Sequence, residues 1–178
     1  MDRREQIIAS ASSLLELEGP DGLTMRAIAD DLGIRAPSLY KHIANKHELE
    51  VALVSEALTS QAEAFKKAVT EGDDPVTAIA SAYRRWALAH PHLYALMNNR
   101  SLPRDDIADG IEGRSVAPVL EAFGGDRQRA RAAWAFAHGM VTLELADRFP
   151  PGADIDQTWR IGISSIKHSH DPTEGSAR

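Results

Sequence analysis

Gly33 does more than any other residue to limit what this 178-residue chain can become. It splits the stretch from Thr24 to Leu49, TMRAIADDLGIRAPSLYKHIANKHEL, into two short helical patterns. Before it, Met25, Ile28, Ala29 and Leu32 recur at helical spacing, with Arg26, Asp30 and Asp31 on the other side. Thr24 is placed to cap that segment, its hydroxyl taking a free amide of the first turn. Gly33 reaches a left-handed backbone at little cost and so ends the segment. Ile34 follows as an apolar plug. A second helix is predicted over roughly Ala36 to Ile43, with Pro37 in its first turn, where a missing N–H costs nothing. Leu39 and Ile43 form its buried side and leave Ser38, Tyr40, Lys41 and His42 on other faces. Two short helices joined by a tight glycine turn make a helix-turn-helix, whose second helix enters the major groove of DNA.

The segments LTMRAIADDLGI, PSLYKHI, NK and EL follow one another in register without gaps. Together they resemble the DNA-binding signature of the TetR (tetracycline-repressor-like) family. The resemblance implies that the second helix reads base edges and that Tyr40 and Lys46 hold phosphates. It makes Arg26, Arg35, Ala36, Pro37, Ser38, Lys41 and His42 candidates for base or groove contact. Thr24 completes the predicted DNA-binding set. The resemblance also implies a homodimer, double-stranded DNA as a partner, and a small, largely apolar effector bound in the rest of the chain. No cofactor and no metal is expected.

Charge tests this reading. The net charge is −6, whereas many DNA-binding domains are basic. Residues 1–50 hold six Lys/Arg against nine Asp/Glu. From Ile34 to His47, however, there are three cations, Arg35, Lys41 and Lys46, and no carboxylate. The field that matters at a phosphate is that within a Debye length, ~8–10 Å. A small basic face is therefore expected. Arg3 and Arg4 fit a solvated helix end ahead of phosphate contacts.

The chain has no cysteine, which excludes a disulfide framework or thiolate metal site. No apolar run approaches the roughly 18 residues of a membrane span. The first residues are amphipathic rather than a charged start followed by an apolar block, so no signal peptide is expected. A cytoplasmic location without membrane contact follows as the expectation. The histidine pairs His90/His92 and His168/His170 diverge on a helix, so neither makes a metal site alone. No phosphate-binding glycine loop, nucleophile elbow or His-Glu metalloprotease motif is present.

Periodicity organises the remainder. A first helix is expected from Arg3 to Glu18, ended by Gly19-Pro20-Asp21-Gly22. A long helix from Lys46 to Thr70 carries the stripe Leu49, Leu53, Ala57, Leu58, Ala62, Phe65 and Val69. Asp74-Pro75 opens a helix to His90 that buries Val76, Ile79, Ala80, Tyr83, Trp86 and Ala87 and turns Arg84 and Arg85 away. Pro91 opens a short helix with Leu93, Tyr94 and Met97, and a loop follows from Asn98 to Arg104. A helix from Asp105 to Phe123 is interrupted by Gly110, Gly113 and Pro118. Asp126 caps a helix to Phe149, and a last one runs from Asp154 to Lys167 with Ile155, Trp159, Ile163 and Ile166 on one stripe.

The 126–149 helix is apolar on two sides. Trp134, His138, Val141 and Leu145 share one face; Phe136, Met140 and Leu143 share nearly the opposite one. A helix apolar on both sides must be covered on both sides. Ala132, Ala135 and Gly139 make a small-residue strip that allows close helix approach. A four-helix dimer interface is expected from Ala132, Phe136, Gly139, Met140, Leu143, Trp159 and Ile163. The segment AWAFAHGMVTLELADRF resembles the His-Gly helix of TetR-family proteins with a WHG-type C-terminal domain, but Ala137 precedes His138 where that type has tryptophan.

Tyr83, Trp86, Tyr94, Met97, Trp134 and His138 are the candidate ligand-binding residues, apolar walls with a few polar tips. Ordinary core packing accounts for the same residues. Glu144, beside apolar Met140 and Leu143, reads as a solvent-facing carboxylate ahead of a polar anchor for the ligand. The expected architecture is all-α: a three-helix DNA-binding head (1–46), a helical-bundle body that binds ligand and dimerises (47–170), and a disordered tail (171–178). The expected function is a ligand-responsive repressor on a near-palindromic operator. Two competing readings stand beside it. One is a helical enzyme or ligand carrier with an incidental helix-turn-helix; the other is an architectural DNA-binding protein with a solid body.

Overall fold

The computed structural model describes residues 2–98 and 105–168. The predicted tail 171–178 and all of the predicted loop after Asn98 lie outside them. Among the described residues there are nine α-helices and no strand. They are α1 (Arg3–Gly22), α2 (Met25–Asp31), α3 (Ala36–Leu39), α4 (Lys46–Glu71), α5 (Pro75–Ala89), α6 (Pro91–Asn98), α7 (Ile111–Ala122), α8 (Arg127–Leu145) and α9 (Ile155–His168). The expected all-α class is the one observed.

Local signals set most of these ends. In α1, Gly19 leaves helical geometry at φ 73°, so the regular helix stops after Glu18 as the turn sequence requires. Its start is a capping box: Asp2 accepts from the Glu5 amide (2.8 Å) and the Glu5 carboxylate accepts from the Asp2 amide (2.7 Å). Asp126 caps α8 by accepting from the Gln128 and Arg129 amides, both at 3.0 Å. That helix ends at Leu145, not Phe149, because Asp147 turns left-handed (φ 50°) and the Arg148 amide closes back on the Leu143 carbonyl at 2.9 Å. The interrupted helix expected from Asp105 begins only at Ile111, after Gly110 at φ 79°.

The described chain forms two compact units. The first holds residues up to Glu63 together with Ala89–Ser115; the second holds Ala64–Leu88 and the described residues from Val116 onward. The α4 helix is continuous and contributes to both. The core of the first unit is built from Ile7, Leu15, Ile28, Leu39, Ile43, Leu49 and Leu53, all but fully buried. Each such side chain contributes about 1.5–3 kcal/mol of transfer free energy. This core fixes α1, α2 and α3 against the start of α4. The Ser10 hydroxyl donates to Asp31 at 2.5 Å and adds a polar tie between α1 and α2. The second unit centres on Val141, Trp159, Ile163, Phe65, Tyr83 and Trp86.

A candidate nucleic-acid interface

The helix-turn-helix is shaped by backbone closures that its sequence demands. The Thr24 hydroxyl accepts from the Ala27 amide at 3.0 Å and starts α2. At the other end Gly33 adopts φ 63°, and two bonds satisfy the last carbonyls: the Ile34 amide to Ala29 (2.9 Å) and the Gly33 amide to Asp30 (3.1 Å). A Cβ on Gly33 would meet nothing within 4 Å, so glycine is needed there for its backbone and not for space. The recognition helix is shorter than expected. Regular α-structure covers Ala36–Leu39, and the chain continues through Tyr40, Lys41 and His42 as tighter turns. The His42 amide bonds the Leu39 carbonyl three residues back at 2.8 Å, which overwinds the last turn.

Leu39 and Ile43 are fully buried and act as the pins of this segment. They leave Arg35, Pro37, Tyr40, Lys41, His42 and Lys46 exposed, with Ala36 and Ser38 half-buried. Tyr40 is 51% exposed, unusual for a large aromatic side chain with no partner to shelter it. Arg26 points to solvent beside Asp30, 3.8 Å away, so part of its charge is already offset. Among the described residues Arg35, Lys41 and Lys46 have no ion-pair partner. The Arg4 guanidinium lies 3.7 Å from Glu48.

Lys46 is held by a device that was legible in the sequence but easily overlooked. Asn45 accepts from the Glu48 amide at 2.9 Å, and the Glu48 carboxylate accepts from the Ala44 amide at 2.7 Å. The Asn45 and Glu48 of the signature therefore fasten the start of α4 and fix Lys46 in its first turn. There the helix dipole reinforces its charge toward an anion.

The body residues fall into separate groups. Tyr83 and Trp86 are buried on α5, and the Tyr83 ring stacks on Phe65 at 6.3 Å. Tyr94 is buried on α6, and Met97 packs on Val51, Val54, Leu58 and Ile107. Trp134 is 55% exposed on the outer side of α8, its ring stacked 5.9 Å from half-buried His138. Of the seven predicted interface residues, four are engaged inside their own chain. Phe136 meets Trp159 edge-on at 5.6 Å, and a Cβ on Gly162 would overlap the Phe136 ring. Met140, Trp159 and Ile163 are buried. Ala132, Gly139 and Leu143 remain exposed.

Arg84 and Glu144 correct the surface role expected of them. The Glu144 side chain is only 7% exposed and accepts from Arg84 Nε and Nη2 at 2.9 and 2.7 Å and from Trp159 Nε1 at 2.6 Å. Arg84 Nη1 also donates to Asp156 at 2.5 Å. Burial opposes the Arg84 charge, but the hydrogen bonds to Asp156 and Glu144 outweigh it and raise the guanidinium pKa. The network joins α5, α8 and α9. A cleft of 410 Å³ in the second unit is lined by Asp74, Phe123, Arg129 and Lys167 among others. Its cations are already engaged, Lys167 with Asp74 at 2.7 Å and Arg129 with the last carbonyls of α9. Among the described residues no three His, Asp or Glu side chains group as metal ligands, and no helix is long and apolar enough to cross a membrane.

One polar residue escaped the sequence reading. Gln61 lies on the buried stripe of α4 at 6% exposure, and its side-chain N–H₂ has no partner. An unpaired buried donor costs about 1–3 kcal/mol. Its spacing, four residues after Ala57 and four before Phe65, was the signal available.

Known proteins place these features in a family. The model of bacterial regulatory proteins of the tetR family matches residues 7–53, and a tetracyclin repressor-like C-terminal domain matches residues 76–166. An uncharacterized HTH-type transcriptional regulator of Mycobacterium tuberculosis, Rv0681, is 33% identical over 152 residues, which is 80% of this chain and 70% of that one. The class D tetracycline repressor protein of Escherichia coli is 49% identical over 55 residues, 31% of this chain and 25% of its own. Among solved structures, a protein with unknown function from Rhodococcus sp. RHA1 matches with a TM-score of 0.79 at 25% identity, over 94% of both chains. With the helix-turn-helix built as described and both parts of the family pattern present, the chain belongs to the TetR family: it is a DNA-binding transcriptional regulator, not an enzyme, of a type that binds DNA as a dimer and responds to small ligands.

Proposed function

We propose that the chain represses transcription as a homodimer on a near-palindromic operator, and that a small, largely apolar effector releases it. The observation that carries this reading is the exposure of Arg35, Tyr40, Lys41 and Lys46 on a segment, Ile34 to His47, that holds no carboxylate, pinned from behind by buried Leu39 and Ile43. Tyr40 and Lys46 hold phosphates and set the register. Arg35, Ala36, Pro37, Ser38, Lys41 and His42 face the base edges, with Thr24 and Arg26 at the neighbouring backbone. Two such faces must lie about 34–36 Å apart, one duplex turn.

The partner face runs along the outer side of α8. Ala132, Ala135, Gly139 and Leu143 form it, flanked by exposed Trp134 and by Ile161 of α9. Release is a population shift: an effector that prefers subunits with another spacing weakens DNA binding by no more than its differential affinity for the two states. A contact inside the first unit supports a path from α6 to the DNA-binding head. The Glu16 carboxylate of α1 accepts from the Leu93 amide (2.8 Å) and the His92 amide (3.2 Å), capping the start of α6. A shift of α6 therefore pulls on the helix that packs over the helix-turn-helix. Glu16→Ala is expected to remove this cap at a cost of about 1 kcal/mol, lowering Tm by roughly 2–4 °C in a thermal melt.

Selection of bound genomic fragments tests the reading first, and the enriched sites should contain an inverted repeat. On such a site Lys46→Ala should weaken binding about equally for the operator and its point variants. The slope of log affinity against log salt should fall by about 0.9. A loss confined to one operator base pair would make Lys46 a base reader instead.

A further inference from the structure

We infer that Gln61 donates the hydrogen bond that holds the effector, and that the effector is a neutral, mostly apolar molecule with an acceptor oxygen such as a ketone or amide carbonyl. The inference rests on the ligand-responsive reading above and specifies its chemistry. Along α4 the buried stripe is Val54, Ala57, Leu58, Gln61, Phe65 and Ala68. Gln61 is its single polar member, at its centre. Its Nε2 is the one buried side-chain nitrogen or oxygen without a partner among the described residues.

The turns on either side are apolar, so nothing local on α4 compensates the lost hydration of that N–H₂. Leu58, one turn before Gln61, belongs to a cluster with Val51, Val54 and Ile107, against which Leu96, Met97 and Ile111 are only partly buried. A methionine would fill the Gln61 volume without an orphan donor. The amide gains a purpose when an acceptor reaches it.

The residues that flank Gln61 along α4 narrow the class of molecule. The stripe carries no lysine or arginine. A carboxylate brought there would lose its water and find one neutral dipole in exchange, which does not compensate. A cation would meet a donor. A neutral carbonyl compound loses little hydration and gains a bond in a dry site, where such bonds are strongest.

Three probes of similar shape test the assignment on the full-length protein: acetophenone, ethylbenzene and benzoate. In the wild type, acetophenone should bind about tenfold or more tightly than ethylbenzene, with benzoate weakest. The Gln61 side-chain amide proton, followed by NMR in protein labelled with ¹⁵N-glutamine, should move downfield with acetophenone alone. Gln61→Met should melt at or above the wild-type temperature and bind the two neutral probes about equally. Failure of both neutral probes to bind, equal binding in the wild type, an unmoved amide, or a preference that survives in Gln61→Met would each overturn the assignment. The amide shift is read on wild-type protein and stands without the variant. Operator binding measured in parallel, with and without an excess of each probe, separates the two readings: if the operator is bound and a probe still releases it, ligand response stands and the Gln61 assignment alone has failed.

Discussion

Gly139→Arg is expected to leave a folded monomer of 19.4 kDa whose operator affinity has fallen by about 100-fold or more. The substitution separates folding from assembly. A Cβ at Gly139 meets nothing within 4 Å, so the arginine enters open space in its own subunit. It also replaces the poorest ordinary helix former inside α8, a gain of about 0.8–1 kcal/mol in propensity. The isolated subunit should therefore be at least as stable as before. Against a partner helix approaching over Ala132, Ala135 and Gly139, the same side chain is a bulky charge where only a hydrogen was accommodated. Loss of the dimer turns two linked half-site contacts into two independent ones, which removes the avidity term. Light scattering gives the mass and fluorescence anisotropy the affinity. A dimeric mass for Gly139→Arg would mean that subunits meet elsewhere.

Glu144→Ala should reduce stability by about 3–5 kcal/mol, because it strands a mostly buried guanidinium and an indole N–H. For a chain of this size that lowers Tm by roughly 10 °C. Glu144→Gln keeps an acceptor for Trp159 Nε1 and Arg84 and should lose clearly less. A drop below about 2 °C for the alanine variant would show that Arg84 finds full compensation in Asp156 and solvent. The indole of Trp159 also sits beneath the Arg84 guanidinium, 5.7 Å from its ring centre, so its fluorescence reports the loss of the network directly.

Acid should expose the same architecture. The Arg84 guanidinium beside Asp156 holds that carboxyl below the usual range. Burial pushes the Asp74 carboxyl up, but the hydrogen bonds from Lys167 and Thr77 outweigh it and bring the pKa down. For both groups the unfolded chain takes up its proton first as pH falls. Their contribution is complete above the unfolded value, about 3.9, and is lost as pH drops through the lower folded values. The urea midpoint should be flat near pH 6 and fall below about pH 4. Asp74→Asn with Asp156→Asn should shallow that acid limb. An unchanged limb would assign it to other carboxylates.

The DNA-binding head was readable from the chain because its determinants are local. Thr24 caps within one turn, Gly33 supplies a backbone that few other residues reach, and Leu39 and Ile43 are four residues apart. Each acts over a distance that the sequence itself displays. The length of the recognition helix was overestimated for the same reason: periodicity marks which side is buried, not whether the last turn winds as α or tighter. The start of α4 was legible too, in Asn45 and Glu48.

What only the tertiary structure decided concerns partners far apart along the chain. Helical period showed two apolar sides on α8 but could not say which one its own subunit covers. The fold covers neither side whole: it buries Ala133, Ala137, Met140 and Val141, drawn from between and from both, sets Phe136 against Trp159 of α9, and leaves Ala132, Trp134, Gly139 and Leu143 exposed. Arg84 and Glu144, 60 residues apart, looked like surface charges because a charge is read as solvated unless its partner is known. Gln61 drew no notice in the sequence, and only its burial in the fold shows that its amide N–H₂ is left without a partner. Polar groups change meaning when water is removed, and which groups lose their water is decided by how the helices assemble.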